Sequence, residues 1–194
     1  MRKGVRLKEY ILKGKPFFGE FEKYVISIES EPDKTLYIGV LSHPETRHDR
    51  RLIRKWRRCL NKEFVISPEA GSTEGICEQI ATEIEGLTDP EHHGCLADED
   101  CNKVFGGGDY GFFACGTATT DQEDLVGTLK VFTEEKYRPR KIKWLLVSFT
   151  GLVSVYRAAK AAEEIAGRYN AKNVIISVSD DDDEQNSIKI TVIG

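Results

Sequence analysis

The segment 141–178 constrains the fold more than any other part of the chain. It contains two continuous apolar runs, WLLVSF (144–149) and VIISV (174–178), which are typical of strands buried on both faces. Between them, apolar residues from Leu152 to Tyr169 recur at spacings of three and four, which places them on one face of a helix. A strand, a helix and a second strand in this order predict a right-handed crossover between two parallel strands.

The rest of the chain continues the alternation of strands and helices. Further strands are predicted at 24–29, 35–41, 64–66, 111–117 and 187–193. Further helices are predicted at 45–60, 72–86 and 121–135. This order predicts an α/β fold, a three-layer Rossmann-like sandwich with a mostly parallel sheet and antiparallel edge strands, one of them the last strand. We expect a single α/β domain over 1–194, with 87–110 as an irregular insertion or flap.

Charge is distributed unevenly along the chain. Residues 1–62 carry sixteen Lys and Arg against eight Asp and Glu, whereas residues 63–129 carry one basic residue against fifteen acidic ones. Such a dipolar molecule favours oriented encounter with a charged partner or with another copy of itself, so a homo-oligomer is one expectation. Five cysteines are an odd number, and no apolar run approaches the length of a membrane span. We therefore expect a reduced, cytoplasmic protein without a membrane partner or a secretion signal.

The turn after the first strand of the crossover is the leading candidate for a ligand site. Ligands of open α/β sheets bind at the carboxyl ends of strands, where helix N-termini favour anions. Hydroxyl side chains and glycine cluster at several of these predicted strand ends. The predicted ligand is a nucleotide or another phosphorylated small molecule, bound by Ser148, Thr150, Gly151, Ser154, Ser72 and Thr117. The alternative is that Thr150 caps the helix and Gly151 only permits a tight turn.

An acid/base pair is predicted at the ends of two other strands. His43 follows the strand 35–41, and Glu69 follows the strand 64–66. Both residue types act as general acids or bases, so they are the predicted catalytic residues if the ligand is turned over. An enzyme and a binding protein both remain open, as does a plain turn role for His43.

The helix predicted at 45–60 is densely basic, with seven Lys and Arg in the twelve residues RHDRRLIRKWRR. Phosphate is the natural partner of such a run, and Trp56 either stacks on a base or packs inward. The predicted nucleic-acid contacts are Arg47, Arg50, Arg51, Arg54, Arg57 and Arg58. The alternative is a solvated face whose charges pair with the acidic middle of the chain.

Histidines and cysteines cluster within 87–110. His92, His93, Cys95 and Cys101 provide four zinc-ligand types on one loop, although their spacing matches no established zinc pattern. A disulfide between the two cysteines is the alternative, and no other cofactor is predicted. Three glycines at 106–108 precede a strand rather than a helix, which predicts a hinge or flap instead of a phosphate-cradling loop.

The sequence is compatible with three functions. The first is a Rossmann-like domain that binds a nucleotide or phosphorylated ligand at the carboxyl ends of its strands. The second is a nucleic-acid-binding protein that uses the basic helix. The third is a non-catalytic interaction protein whose basic and acidic regions pair with a partner or with each other.

Overall fold

The computed structural model of the chain describes residues 5–8, 11–12, 15–16, 23–30, 34–88, 96–107, 109–179 and 186–194. The strands in these ranges are β1 (Val5–Lys8), β2 (Ile11–Leu12), β3 (Lys15–Pro16), β4 (Lys23–Ser30), β5 (Lys34–Ser42), β6 (Lys62–Ile66), β7 (Asp109–Tyr110), β8 (Phe113–Thr119), β9 (Lys130–Val131), β10 (Ile142–Gly151), β11 (Ala171–Ser179) and β12 (Ser187–Ile193). The helices are α1 (Arg47–Trp56), α2 (Thr73–Thr88), α3 (Asp98–Phe105) and α4 (Val155–Tyr169). None of these helices is long and apolar enough to cross a membrane.

The strands form two mixed five-stranded sheets and a small hairpin of β2 and β3. The first sheet has the order β1-β4-β5-β6-β7, and the second has the order β11-β10-β12-β8-β9. Among the described strands, only the pairs β5–β6, β6–β7 and β10–β11 are parallel. The α/β class is confirmed, but the single, mostly parallel sheet is not. Short connections such as 31–33 between β4 and β5 force antiparallel pairing, because a parallel pair needs a long crossover.

The crossover predicted at 141–178 is present. β10 and β11 pair in parallel from Ile142 and Ala171 to Thr150 and Ser179, and α4 connects them. The helix begins after Ser154, whose hydroxyl accepts from an amide of the first turn, so Thr150 is not the cap. It ends at Asn170, which adopts the left-handed conformation with φ 51° and stops the helix.

The helices are distributed over both faces of the two sheets. α1 covers one face of the first sheet, where Ile53 and Trp56 pack on Val25, Leu41 and Val65. α2 packs between the sheets, because its buried isoleucines share one core with residues of both sheets. That core includes Ile26, Phe64, Ile80, Phe113 and Leu146. α4 covers the outer face of the second sheet, packing against Val147, Phe149 and their neighbours. The molecule therefore has two sheets and more layers than the predicted three.

The two sheets are joined along a seam, the extended segment 132–134. Phe132 accepts from Ser67 N–H at 2.9 Å and donates to the Phe113 carbonyl at 3.0 Å. The Glu134 N–H donates to the Val65 carbonyl at 2.7 Å. The seam thus hydrogen-bonds β6 of the first sheet on one side and β8 of the second on the other.

Three local predictions differ from the structure. The helix predicted at 121–135 is absent. That region contains β9 and two short 3-10 turns, because Asp124 bonds Gly127 N–H and Phe132 packs on Phe113. The strand 187–193 lies inside its sheet between β10 and β8 rather than at an edge. Within 87–110, the described residues include α3 and β7, while 89–95 and 108 lie outside the described ranges.

Candidate functional site

The inner face of the second sheet is unusually rich in hydroxyl groups at the carboxyl ends of β10 and β11. The register pairs Ser148 with Ser177 on one side and Thr191 on the other. In the next row, Thr150 lies between Ser179 and Lys189, and Lys189 in turn lies opposite Thr117. These side chains share one face because they are two residues apart along their strands. We call this surface the hydroxyl face, with members Thr117, Ser148, Thr150, Ser177, Ser179 and Thr191.

Polar residues of α2 cover part of the hydroxyl face. Glu83 accepts a hydrogen bond from Thr191 at 3.0 Å and forms a close ion pair with Lys189. One turn earlier, Gln79 donates to the Cys115 thiol at 3.1 Å. The Thr150 and Ser179 hydroxyls bond each other at 3.3 Å, and both side chains are only partly buried. The face is therefore a polar surface that opens to solvent at the strand ends, with its one lysine already paired.

The predicted ligand residues are only partly brought together. Ser148, Thr150 and Thr117 lie on the hydroxyl face in neighbouring rows. Gly151 has φ 112°, and a Cβ there would meet the Ser187 carbonyl, so glycine is required by the approach of β12.

Ser154 and Ser72 each serve a different helix. Ser154 caps α4, which covers the opposite face of the sheet. Ser72 caps α2 by accepting from Gly75 N–H and is exposed.

The structure gives His43 a partner that the sequence did not indicate. Its Nδ1 lies 3.6 Å from a carboxylate oxygen of Glu134, and its ring meets the Tyr137 ring edge-on with centroids 5.9 Å apart. Glu134 is the last residue of the seam and lies about ninety residues after His43, so no local motif places it near His43. Glu69 instead lies exposed on the 3-10 turn Pro68–Ala70, with its amide donating to Ser67.

Glu63 of β6 has a buried carboxyl group, which lies on the face of the first sheet that α1 covers. It is 1% exposed, and its carboxylate is 3.3 Å from Nε of Arg57. Burial raises the pKa of Glu63 to about 7, although the Arg57 charge and the Tyr110 hydroxyl act in the opposite direction. The Arg57 guanidinium also stacks over the Tyr110 ring at 3.8 Å. This arginine is therefore committed to contacts inside the protein.

The basic helix α1 presents the rest of its cations to solvent. Its N-terminus is fixed by a capping box, in which Thr46 and Asp49 exchange hydrogen bonds between side chain and backbone. Trp56 packs inward and is 1% exposed, so it does not stack on a nucleic-acid base. The exposed basic residues are Arg47, Arg50, Arg51, Arg54, Lys55 and Arg58. No ion pair links them to the acidic residues of the described ranges, so pairing with the acidic middle is not observed there.

The predicted zinc ligands are divided between described and undescribed parts of the chain. His92, His93 and Cys95 fall outside the described residues, and Cys101 is a buried cysteine of α3. Among the residues that are described, no group of three or more His, Cys, Asp or Glu side chains could hold a metal ion. The zinc site stays a prediction.

No protein-family model matches this sequence, and no curated protein matches it. Solved structures do match the fold. A dimer of FtsZ from M. jannaschii has a TM-score of 0.55 and 12% identity, over 75% of this chain and 48% of that chain. A GTPγS-bound protofilament of CetZ2 from Haloferax volcanii has a TM-score of 0.55 and 11% identity, over 78% of this chain and 52% of that one. The GDP-form protofilaments of TubZ from Bacillus thuringiensis serovar israelensis give 0.54 and 10%, over 79% and 50%.

The FtsZ dimer is empty, whereas the CetZ2 protofilament is bound to GTPγS and the TubZ protofilaments are in a GDP form, and these properties are theirs. The chain spans about half the length of each of them. At these identities the likeness concerns the fold alone. The chain therefore has an α/β fold similar to part of FtsZ, CetZ and TubZ.

Proposed function

We propose that this chain is a self-associating domain whose copies pair through oppositely charged faces. The observation that carries the proposal is the placement of charge about the first sheet. α1 and the 3-10 turn after it lie on one face and expose six basic residues, whereas α2 lies on the other face and contains no basic residue. The exposed acids of α2 are Glu74, Glu78 and Glu85.

This geometry favours a head-to-tail contact. Basic and acidic residues on opposite faces of one sheet cannot meet within that molecule, but they complement each other between copies. Such a contact is heterologous, so repeating it produces rings or filaments rather than closed dimers. The shared fold with proteins found as dimers and protofilaments supports this choice over a monomeric binding protein.

Sedimentation velocity at low and high ionic strength tests the proposal. We expect association at about 50 mM salt and dissociation at about 500 mM, because exposed charges are screened beyond a few ångströms at high salt. The paired changes Arg51→Glu with Arg54→Glu should abolish association, and so should Glu74→Lys with Glu78→Lys.

The decisive experiment measures association in a mixture of the two double variants. Each variant repels itself, but the reversed basic face of one complements the reversed acidic face of the other, so the mixture should associate again. Lys160→Glu with Lys172→Glu, on exposed positions of the other sheet's half of the molecule, is the control and should associate normally. A protein that stays monomeric at low salt, or a mixture that stays monomeric, would refute the head-to-tail contact.

A second candidate function is the binding of a nucleotide or another phosphorylated ligand at the carboxyl ends of the strands. The hydroxyl face favours it, since Ser148, Thr150 and Thr117 offer hydroxyl donors at one end of the second sheet. Isothermal titration with GTP and GDP tests it. Thr150→Ala with Thr117→Ala should weaken binding, and unchanged affinity would exclude this location. If nucleotide is turned over, His43 and Glu69 remain the proposed acid and base, and His43→Gln should lower turnover.

A further inference from the structure

A polar cavity lies at the amino-terminal ends of the strands, away from the hydroxyl face at their carboxyl ends. It has a volume of about 420 Å³ and is open to solvent on one side. The starts of β6 and β10 and the end of α3 form its walls. This volume falls within the range of about 300–1,000 Å³ that is typical of small-molecule sites.

Lysines dominate the lining of this cavity. The four are Lys62, Lys103, Lys141 and Lys143, and Glu99 is the only acidic residue among the described side chains that line it. We call this site the lysine pocket. Its charge contrasts with the hydroxyl face, where the one lysine is paired with Glu83.

The lysines of the pocket differ in whether they form ion pairs within the protein. Lys103 binds Glu99 at 3.0 Å and Asp100 at 3.1 Å, and these hydrogen bonds raise the pKa of the lysine. Lys141 and Lys143 are exposed and make no ion pair with any described residue. Two cations at the rim are therefore available to a ligand, and both are fixed near the start of β10.

One wall of the lysine pocket is aromatic. Trp144 is half-buried, and the Lys103 ammonium lies 5.3 Å from its ring centroid. Gly106 and Gly107 complete the neighbouring wall, and a Cβ added at Gly107 would meet no atom. Unpaired ammonium groups at the rim, a half-buried aromatic ring and a side-chain-free backbone suit a ligand that combines negative charge with a flat ring.

We propose that the lysine pocket binds a small molecule carrying a chain of phosphate groups, with a nucleoside triphosphate as the best-fitting class. Lys141 and Lys143 contact the phosphates, and Trp144 contacts the base. This site is distinct from the strand ends of the hydroxyl face and independent of head-to-tail association.

Tryptophan fluorescence gives a direct test, because the chain has two tryptophans and only Trp144 lines the pocket. In a Trp56→Phe background, titration with GTP, ATP and inorganic tripolyphosphate should change the Trp144 emission in a saturable way. Lys141→Glu with Lys143→Glu should raise the Kd at least about tenfold, the factor that corresponds to about 1.4 kcal/mol of binding free energy. Isothermal titration of protein that retains Trp56 gives the same comparison if the background variant folds poorly.

The controls separate this pocket from the other charged and polar surfaces. Arg51→Glu with Lys55→Glu removes the same charge from α1 and should leave the Kd unchanged. Equal weakening by this control would show general attraction to a basic protein and would overturn the proposal. Loss of binding in Thr150→Ala with Thr117→Ala, but not in the lysine variant, would place the ligand at the hydroxyl face and would also overturn it.

The three probes resolve what is recognised. Equal binding of tripolyphosphate and nucleotides supports the phosphate contacts alone, and tighter binding of the nucleotides supports a contact between the base and Trp144. No saturable response to any of the three, by fluorescence or calorimetry, would refute the site.

Discussion

Replacing Glu63 with glutamine should remove a large pH dependence of stability. The side chain is 1% exposed, and burial raises its pKa from 4.5 to about 7. The folded protein therefore holds this proton more tightly than the unfolded chain does. The resulting stability is fully present below pH 4.5 and is lost as the pH rises to about 7. The interval from 4.5 to about 7 corresponds to about 3 kcal/mol of unfolding free energy.

Urea denaturation at pH 4.5 and at about pH 8, at constant ionic strength, measures this effect. The unfolding free energy of the Glu63→Gln variant, relative to the wild type, should rise by about 3 kcal/mol between the two values. Other titrating groups cancel in this comparison. Arg57→Gln should move the fall in stability to higher pH, because the guanidinium 3.3 Å away favours the charged carboxylate. A difference between Glu63→Gln and wild type that is constant with pH would refute the desolvation argument.

Three further changes test the packing and the helix ends, each by urea denaturation. Gly39→Ala should lower the unfolding free energy by about 1–3 kcal/mol, because the new Cβ would overlap the Leu60 side chain in a filled core. No change would mean that α1 can move away from the sheet. Gly167→Ala should raise the unfolding free energy by up to about 1 kcal/mol, since the site is exposed, helical and open; a loss of stability would contradict this. Thr46→Ala should cost about 1 kcal/mol by removing the capping box with Asp49, and Thr46→Ser should retain most of it.

The sequence identified elements whose periodicity is strong and whose partners are close along the chain. The crossover of β10, α4 and β11 follows from two apolar runs and one helical stripe. The predicted burial was wrong in part: Leu152 and Val155 are exposed, and Ile176 is exposed because β11 is an edge strand. The inward packing of Trp56 is consistent with its place beside Ile53 on α1, although the sequence left it open. Local patterns of this kind persist because each helix or sheet buries the face that its own sequence makes apolar.

The arrangement of the sheets could not be derived in the same way. In β12, Ile188 and Ile190 alternate with Lys189 and Thr191, which is typical of an edge strand. The structure places this strand in the interior, because Glu83 of α2 supplies partners for both polar side chains. The alternation indicates only that one face of the strand is polar. The residue that pairs with that face, Glu83, belongs to a helix about a hundred residues earlier in the chain.

The candidate sites also differ in how far local sequence predicts them. The hydroxyl face collects Ser148, Thr150 and Thr117, which the strand-end rule predicted from local sequence. The contact of His43 with Glu134 and the lysine pocket depend on chain segments that meet only after folding. Lys141 and Lys143 lie at the amino-terminal start of a strand, where the rule that ligands bind at carboxyl strand ends predicts no site.

The seam at 132–134 has a consequence for how the molecule unfolds. Its backbone groups bond Ser67 and Val65 on one side and Phe113 on the other, so neither sheet completes its hydrogen bonding without the other. Opening one sheet exposes amides that also stabilise the second. The two halves should therefore behave as one cooperative unit, in which the amides of Ser67, Phe132 and Glu134 exchange with solvent deuterium only through global unfolding. Because these partners are far apart in sequence, the seam should form late in folding and slow the overall rate.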